Sequence, residues 1–175
     1  MPDVFSTPIM HLFLPAAATS LLMIAALKDI AVRRIPDFVS IGLIVIGFTA
    51  RTASQDATAA LAASSIVFIV GALCWRQGWL GGGDVKLGAA CAWLMAPALV
   101  PRFMLLTALV GGALACLYLI IGWFAKRPHA PDMAARPRSL VARVWRIEQW
   151  RISRQGSLPY GCAIAAAALL IMSSG

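Results

Sequence analysis

Long uncharged apolar runs, most of them ending at a basic residue, divide this chain from one end to the other. Six can be read, at about residues 9–27, 38–50, 57–75, 87–100, 103–125 and 158–172. Runs of this kind predict helices that cross a bilayer, whose hydrocarbon core asks for roughly 20 apolar residues. The run 38–50 is the shortest, and its helix is expected to begin within Ile35-Pro36-Asp37, since proline suits a first helical turn. Composition agrees with the pattern: 61% of the 175 residues are hydrophobic and 13% charged, too little polar surface for a soluble domain. The expected fold is all-α, a single membrane-embedded domain over residues 1–175 with about six transmembrane helices.

Lysine and arginine then orient the spans. With six crossings, segments 28–37, 76–86 and 126–157 share one side and hold thirteen of the fifteen basic residues, leaving Arg51 and Arg102 opposite. The positive-inside rule places the basic side in the cytoplasm and both termini in the periplasm of a bacterial inner membrane. Eight basic residues lie in loop 126–157, so the net charge of +8 reads as attraction to an anionic leaflet and calls for no nucleic acid. Within that loop, "SLVARVWRIEQWRISRQ" partly separates apolar from basic positions, as an interfacial helix or a plain basic loop would. No lysine or arginine precedes the first run, which is therefore expected to be a retained span and not a cleaved signal.

The usual metal and cofactor signals are missing. Cys74, Cys91, Cys116 and Cys162 stand singly in separate runs, and His11 stands alone near a membrane interface. Neither has the paired spacing of a zinc or redox site, so no metal and no cofactor are expected.

Seven acids remain. Asp3, Asp56, Asp132 and Glu148 belong to termini or loops, whereas Asp29, Asp37 and Asp84 all fall at the cytoplasmic ends of runs. Singly, each is an ordinary solvated acid beside a membrane, or the partner of Lys28 or Lys86. Together, Asp29 and Asp84 come from distant sequence to one membrane face. Two carboxylates close together in a partly dry site cannot both ionise easily, so one keeps a proton. The ionised one can then take a proton from water that attacks a peptide carbonyl, while the protonated one donates a hydrogen bond to the carbonyl oxygen. Such a pair titrates as a unit, and neither role goes to a particular residue.

The stretch "WLGGGDVKL", residues 79–87, sets three glycines before Asp84. Gly81, Gly82 and Gly83 are expected to leave the helix there and let an extended substrate approach the acid. A phosphate-binding loop is the competing use of such glycines, but no Gly-Lys-Ser/Thr follows them.

"GGGDVKL" resembles the glycine-x-glycine-aspartate motif of the type IV prepilin peptidases, a family of polytopic aspartic proteases. "DIAVRRIPD", residues 29–37, resembles that family's aspartate followed by a basic Ile-Pro-Asn segment, and "PYGCAIA", residues 159–165, resembles the opening of its last span. The resemblance implies that Asp29 and Asp84 are the catalytic pair, with Gly81, Gly82, Gly83, Lys86, Pro36 and Asp37 as supporting or substrate-binding residues. It implies a prepilin or pseudopilin substrate, cut at the cytoplasmic face behind a short basic leader. The larger members carry an added region with paired CxxC motifs and methylate the new N-terminus. This chain has neither, and is similar to the short form found with tight-adherence (Flp-type) pili, for which peptidase activity without methyl transfer is expected. Position 37 departs from the family, carrying Asp where Asn is usual.

Two other readings fit less well. A presenilin-like protease pairs Gly-x-Gly-Asp with Tyr-Asp, yet neither Tyr118 nor Tyr160 precedes an acid. A carrier or assembly subunit would more often hold its acids near mid-bilayer. The sequence sets no oligomeric state.

Overall fold

The computed structural model describes residues 8–51, 56–124 and 159–173; loop 126–157, and with it the possible interfacial helix, lies outside them. Among the described residues the chain is all-helical: α1 (Pro8–Val32), α2 (Asp37–Arg51), α3 (Ala57–Arg76), α4 (Gly82–Leu94), a 3₁₀ turn (Pro97–Leu99), α5 (Val100–Phe124) and α6 (Tyr160–Ser173). Three segments are long and apolar enough to cross a membrane: Phe13–Val32, Ala57–Arg76 and Pro97–Ile121. Helices α2, α4 and α6 have 15, 13 and 14 residues, which at the α-helical rise makes each about 20 Å long. Large apolar side chains such as Phe13, Phe48, Leu61, Ile66, Leu105 and Trp123 point outward. So wide an apolar surface suits lipid and not water.

Two of the short helices, α4 and α6, form the interior. α4 buries every residue from Leu87 to Ala92 and packs against α2, α3 and α6; α6 packs in turn against α1, α4 and α5. Both are rich in Gly and Ala, and small residues let helix backbones approach closely where lipid removes the hydrophobic drive for association. The space they leave is filled by fully buried Leu22, Val39, Leu43, Leu87, Cys91 and Phe103. Polar ties fix the register: Ser64 Oγ donates to the Ala89 carbonyl at 2.9 Å and Trp93 Nε1 to the Ile44 carbonyl at 3.2 Å.

Several helix ends differ from the sequence reading. The first run was bounded at residue 27, but α1 continues to Val32, so Asp29 lies inside the helix and not beyond it. The charge at Asp29 does not stop the helix because its side chain turns inward and is 5% exposed. α1 instead ends at Arg33, whose φ of 56° is left-handed and whose N–H bonds the Asp29 carbonyl at 2.9 Å, the geometry of a helix C-cap. α2 does begin within the expected Ile35-Pro36-Asp37, at Asp37, with Pro36 just ahead of its first turn and the Pro36 carbonyl accepting the Val39 N–H at 3.1 Å.

The fourth run, read as 87–100, is also corrected. Its helix spans Gly82–Leu94, and Met95 and Ala96 are extended (ψ 157° and 137°) before Pro97 opens the 3₁₀ turn. Proline disfavours the helical region for the residue before it, and α4 ends ahead of Ala96-Pro97. The glycines behave differently as well. Only Gly81 is extended (φ −77°, ψ 147°), whereas Gly82 and Gly83 already belong to α4.

Arg51 has a structural task. Its Nε donates to the Trp93 carbonyl at 2.9 Å, and its Nη2 donates to the Met95 carbonyl. A cation there satisfies carbonyls at the C-terminus of α4.

Candidate active site

The N-termini of α2, α4 and α6 meet the C-terminus of α1 at one end of the bundle. Between them lies a cleft of about 310 Å³, lined from α1 by Asp29, from the α1–α2 connection by Arg33, Arg34 and Ile35, from α2 by Asp37, and from the start of α4 by Gly81 to Asp84. The two acids singled out from distant sequence therefore border one cavity.

Asp29 is held from α6. Its Oδ2 accepts the backbone N–H of Cys162 at 3.2 Å, a first-turn donor that the Pro159 carbonyl shares at the same distance. Gly161 makes this approach possible, because a Cβ there would stand 2.8 Å from Asp29 Oδ2 and 2.7 Å from Ile35 Cδ1. Gly83 makes room on the opposite side, where a Cβ would lie 3.2 Å from Ile35 Cβ. Ile35 thus wedges between the starts of α4 and α6 and spaces the two helices that carry or hold the acids.

Asp84 is the third residue of α4 and reaches back to accept the Gly81 N–H at 3.1 Å, the return half of a capping box. The backbone of Gly81 is one that any residue adopts. Glycine is needed there for space, since a Cβ would come within 2.9 Å of Asp84 Oδ2. Burial pushes the Asp84 carboxyl up to about 6, and the charge of Asp29 pushes the same way; the Gly81 hydrogen bond and Arg33 oppose them. Burial outweighs the hydrogen bond because losing water penalises the charged form more than one N–H restores it.

Asp37 lines the cleft, but its Oδ1 pairs with Lys86 Nζ at 2.8 Å, and both side chains are more than half exposed. The pair joins α2 to α4 at the rim. An exposed ion pair contributes little to stability, about 0–1 kcal/mol. Asp37→Asn should therefore keep the fold and change the unfolding temperature little, checked by thermal unfolding of the purified protein beside wild type. Pro36 and Lys86 do not line the cleft; the first precedes α2, and the second engages Asp37.

Some of the site escaped the sequence reading. Gly161 and Cys162 lay in the quoted "PYGCAIA" motif without an assigned role. In the sequence Arg33 and Arg34 signal only topology. Tyr118, which accepts a hydrogen bond from Arg33 Nη2 at 3.3 Å, is a lone tyrosine in an apolar run and carries no local signal.

A family model described as the type IV leader peptidase family matches residues 16–116, more than half of the chain and inclusive of both Asp29 and Asp84. Comparison with curated proteins and with solved structures returns no match.

Proposed function

The chain belongs to the type IV leader peptidase family, and from that premise we propose that it is an aspartic endopeptidase using Asp29 and Asp84 as its reacting pair. Its substrates are type IV prepilins or pseudopilins of the Flp type, and it adds no methyl group to the new N-terminus. One observation carries this reading: carboxylates 55 positions apart in sequence line one small cleft whose glycine rim leaves room for a peptide backbone. In the proposed topology six spans cross the bacterial inner membrane, and Asp84 stands ahead of the fourth, at the cytoplasmic edge. The cleft faces the cytoplasm with the basic segments, and both termini are periplasmic.

The chemistry follows from one shared proton. The ionised carboxylate removes a proton from water as the oxygen attacks the scissile carbonyl carbon. The protonated carboxyl donates to the carbonyl oxygen, where negative charge develops. Collapse of the tetrahedral intermediate breaks the C–N bond, and a proton passes from the pair to the departing amine. The leader leaves as a carboxylic acid and the mature pilin as a free amine. Lys86, Asp37 and Pro36 support the rim, and Gly81, Gly82 and Gly83 border the path of the substrate.

The sign of the pH dependence follows from Asp84. Its proton is held up to about 6, and the singly protonated pair is the working form. Hence kcat/KM falls as pH rises above about 6, approaching tenfold per unit. Bound substrate excludes water and disfavours the second charge further, so kcat falls at a higher pH than kcat/KM. A kcat/KM that climbs steadily from pH 6 to pH 9 would rule out the shared proton.

The test is to reconstitute purified protein in liposomes with a prepilin from the same organism and analyse the products by mass spectrometry. The expected products are an intact leader and a mature pilin with an unmodified amine. Intact precursor after prolonged incubation would refute the proposal, and a methylated amine would refute its restriction to peptidase activity.

A further inference from the structure

Arg33 combines features that its role in topology does not require. Among the described residues it is the non-glycine residue at positive φ, 56°, a conformation that strains any residue carrying a Cβ. Glycine or asparagine would sit there more comfortably. Its side chain nonetheless lines the cleft and reaches α5, where Nη2 donates to Tyr118 Oη at 3.3 Å and the guanidinium lies 5.8 Å from the ring centroid. That distance is within the range of a cation–π contact. The planar fork can donate to the hydroxyl while facing the ring, which a lysine ammonium does less well. What the strained position retains is a positive charge in a fixed place.

We propose that Arg33 is a positioning residue for the aspartate pair, its guanidinium clamped on Tyr118 so that a fixed positive charge governs how the two carboxylates share their proton. The inference rests on the reading of Asp29 and Asp84 as the reacting pair. The charged and titratable groups around Asp84 come from every neighbouring element. α1 supplies Asp29, the α1–α2 connection Arg33 and Arg34, and α2 Asp37, whose charge is offset by Lys86. α3 ends at Arg76, and α6 begins with Tyr160 and Cys162. Among these, Asp29 raises and Arg33 lowers the proton affinity of Asp84. Arg33 therefore works against burial and the like charge, keeping the pair able to lose one proton while holding the other. The clamp also ties α5 to the site.

The test uses the full-length protein in liposomes. Isotope-edited infrared titration follows the labelled aspartates without substrate, and the pH profile of kcat/KM is measured beside it. Arg33→Asn relieves the backbone and removes the charge; Arg33→Lys keeps a charge; Tyr118→Phe removes the hydroxyl that accepts the guanidinium. Arg33→Asn should move the Asp84 titration, and with it the alkaline limb of kcat/KM, upward by about half to one pH unit. Arg33→Lys should restore most of the wild-type position, and Tyr118→Phe should fall between. A purely structural residue would lower kcat at every pH without moving either curve, and that result overturns the proposal. If Arg33→Asn does not reach the membrane, an unchanged titration in Tyr118→Phe overturns it equally. A titration that moves in a protein unable to cleave any prepilin supports the role of Arg33 and refutes the proposed function instead.

Discussion

Asp29→Asn and Asp84→Asn each reduce leader cleavage by several orders of magnitude, to the background of the assay. Each carboxylate must act as both charge and proton carrier within one turnover, and an amide does neither. The change is nearly isosteric. The amide oxygen can still accept the Cys162 N–H at position 29 or the Gly81 N–H at position 84, the bonds that hold the native side chains. Membrane levels and thermal stability should therefore stay close to wild type. The double variant should be no slower than either single one, since the pair works as a unit and its losses do not add. Initial rates of precursor cleavage at matched protein levels measure this. Substantial cleavage by either single variant would remove that residue from the pair.

Gly161→Ala has the second largest expected effect, about 100-fold on kcat. The added Cβ would meet Ile35 Cδ1 at 2.7 Å, Asp29 Oδ2 at 2.8 Å and Asp29 Cγ at 3.0 Å. The first contact is with the tip of a flexible side chain and can relax. The other two cannot, because moving the carboxylate away costs it the Cys162 N–H and shifts it within the cleft. Misplacing a reacting group by about 1 Å typically costs 10²-fold in rate. Adding Ile35→Ala should thus leave the defect in place, and rescue by it would show that the wedge, not the carboxylate, was disturbed. Gly112→Ala is the control, as a Cβ there meets nothing within 4 Å. Single-turnover cleavage separates this loss in kcat from weaker binding.

How much of this was legible in the sequence depended on where the determining contact lay. The helix Ala57–Arg76 follows its apolar run closely because charged residues bracket it at Asp56 and Arg76. The start of α4 departs from the sequence pattern because glycine's low helix propensity is a weak prior that packing overrides; Gly83 is held in the first turn by its close fit against Ile35. α1 ran past Lys28 and Asp29 because a charge ends a membrane helix only where it must meet water, and the Asp29 carboxylate turns toward α6. At the site, Asp29 and Asp84 can be picked out because acids are scarce in this chain and both stand in recognisable motifs. Their supports could not. A backbone N–H at Cys162 has no side-chain signature, and Gly161 acts through the atom it lacks. The Arg33–Tyr118 contact joins residues 85 positions apart, a separation that no local pattern records.

Three acids line the cleft, and the assignment of the reacting pair is tested most directly by comparing all three in one assay. Asp29→Asn, Asp84→Asn and Asp37→Asn, each in liposomes at the same protein density, are given the same prepilin, and cleavage is followed over a pH series. The expected result is cleavage by wild type and Asp37→Asn, with none by the other two at any pH. If Asp37→Asn is inactive while Asp29→Asn still cuts, the pair is Asp37 and Asp84, and the role assigned to Asp29 is contradicted.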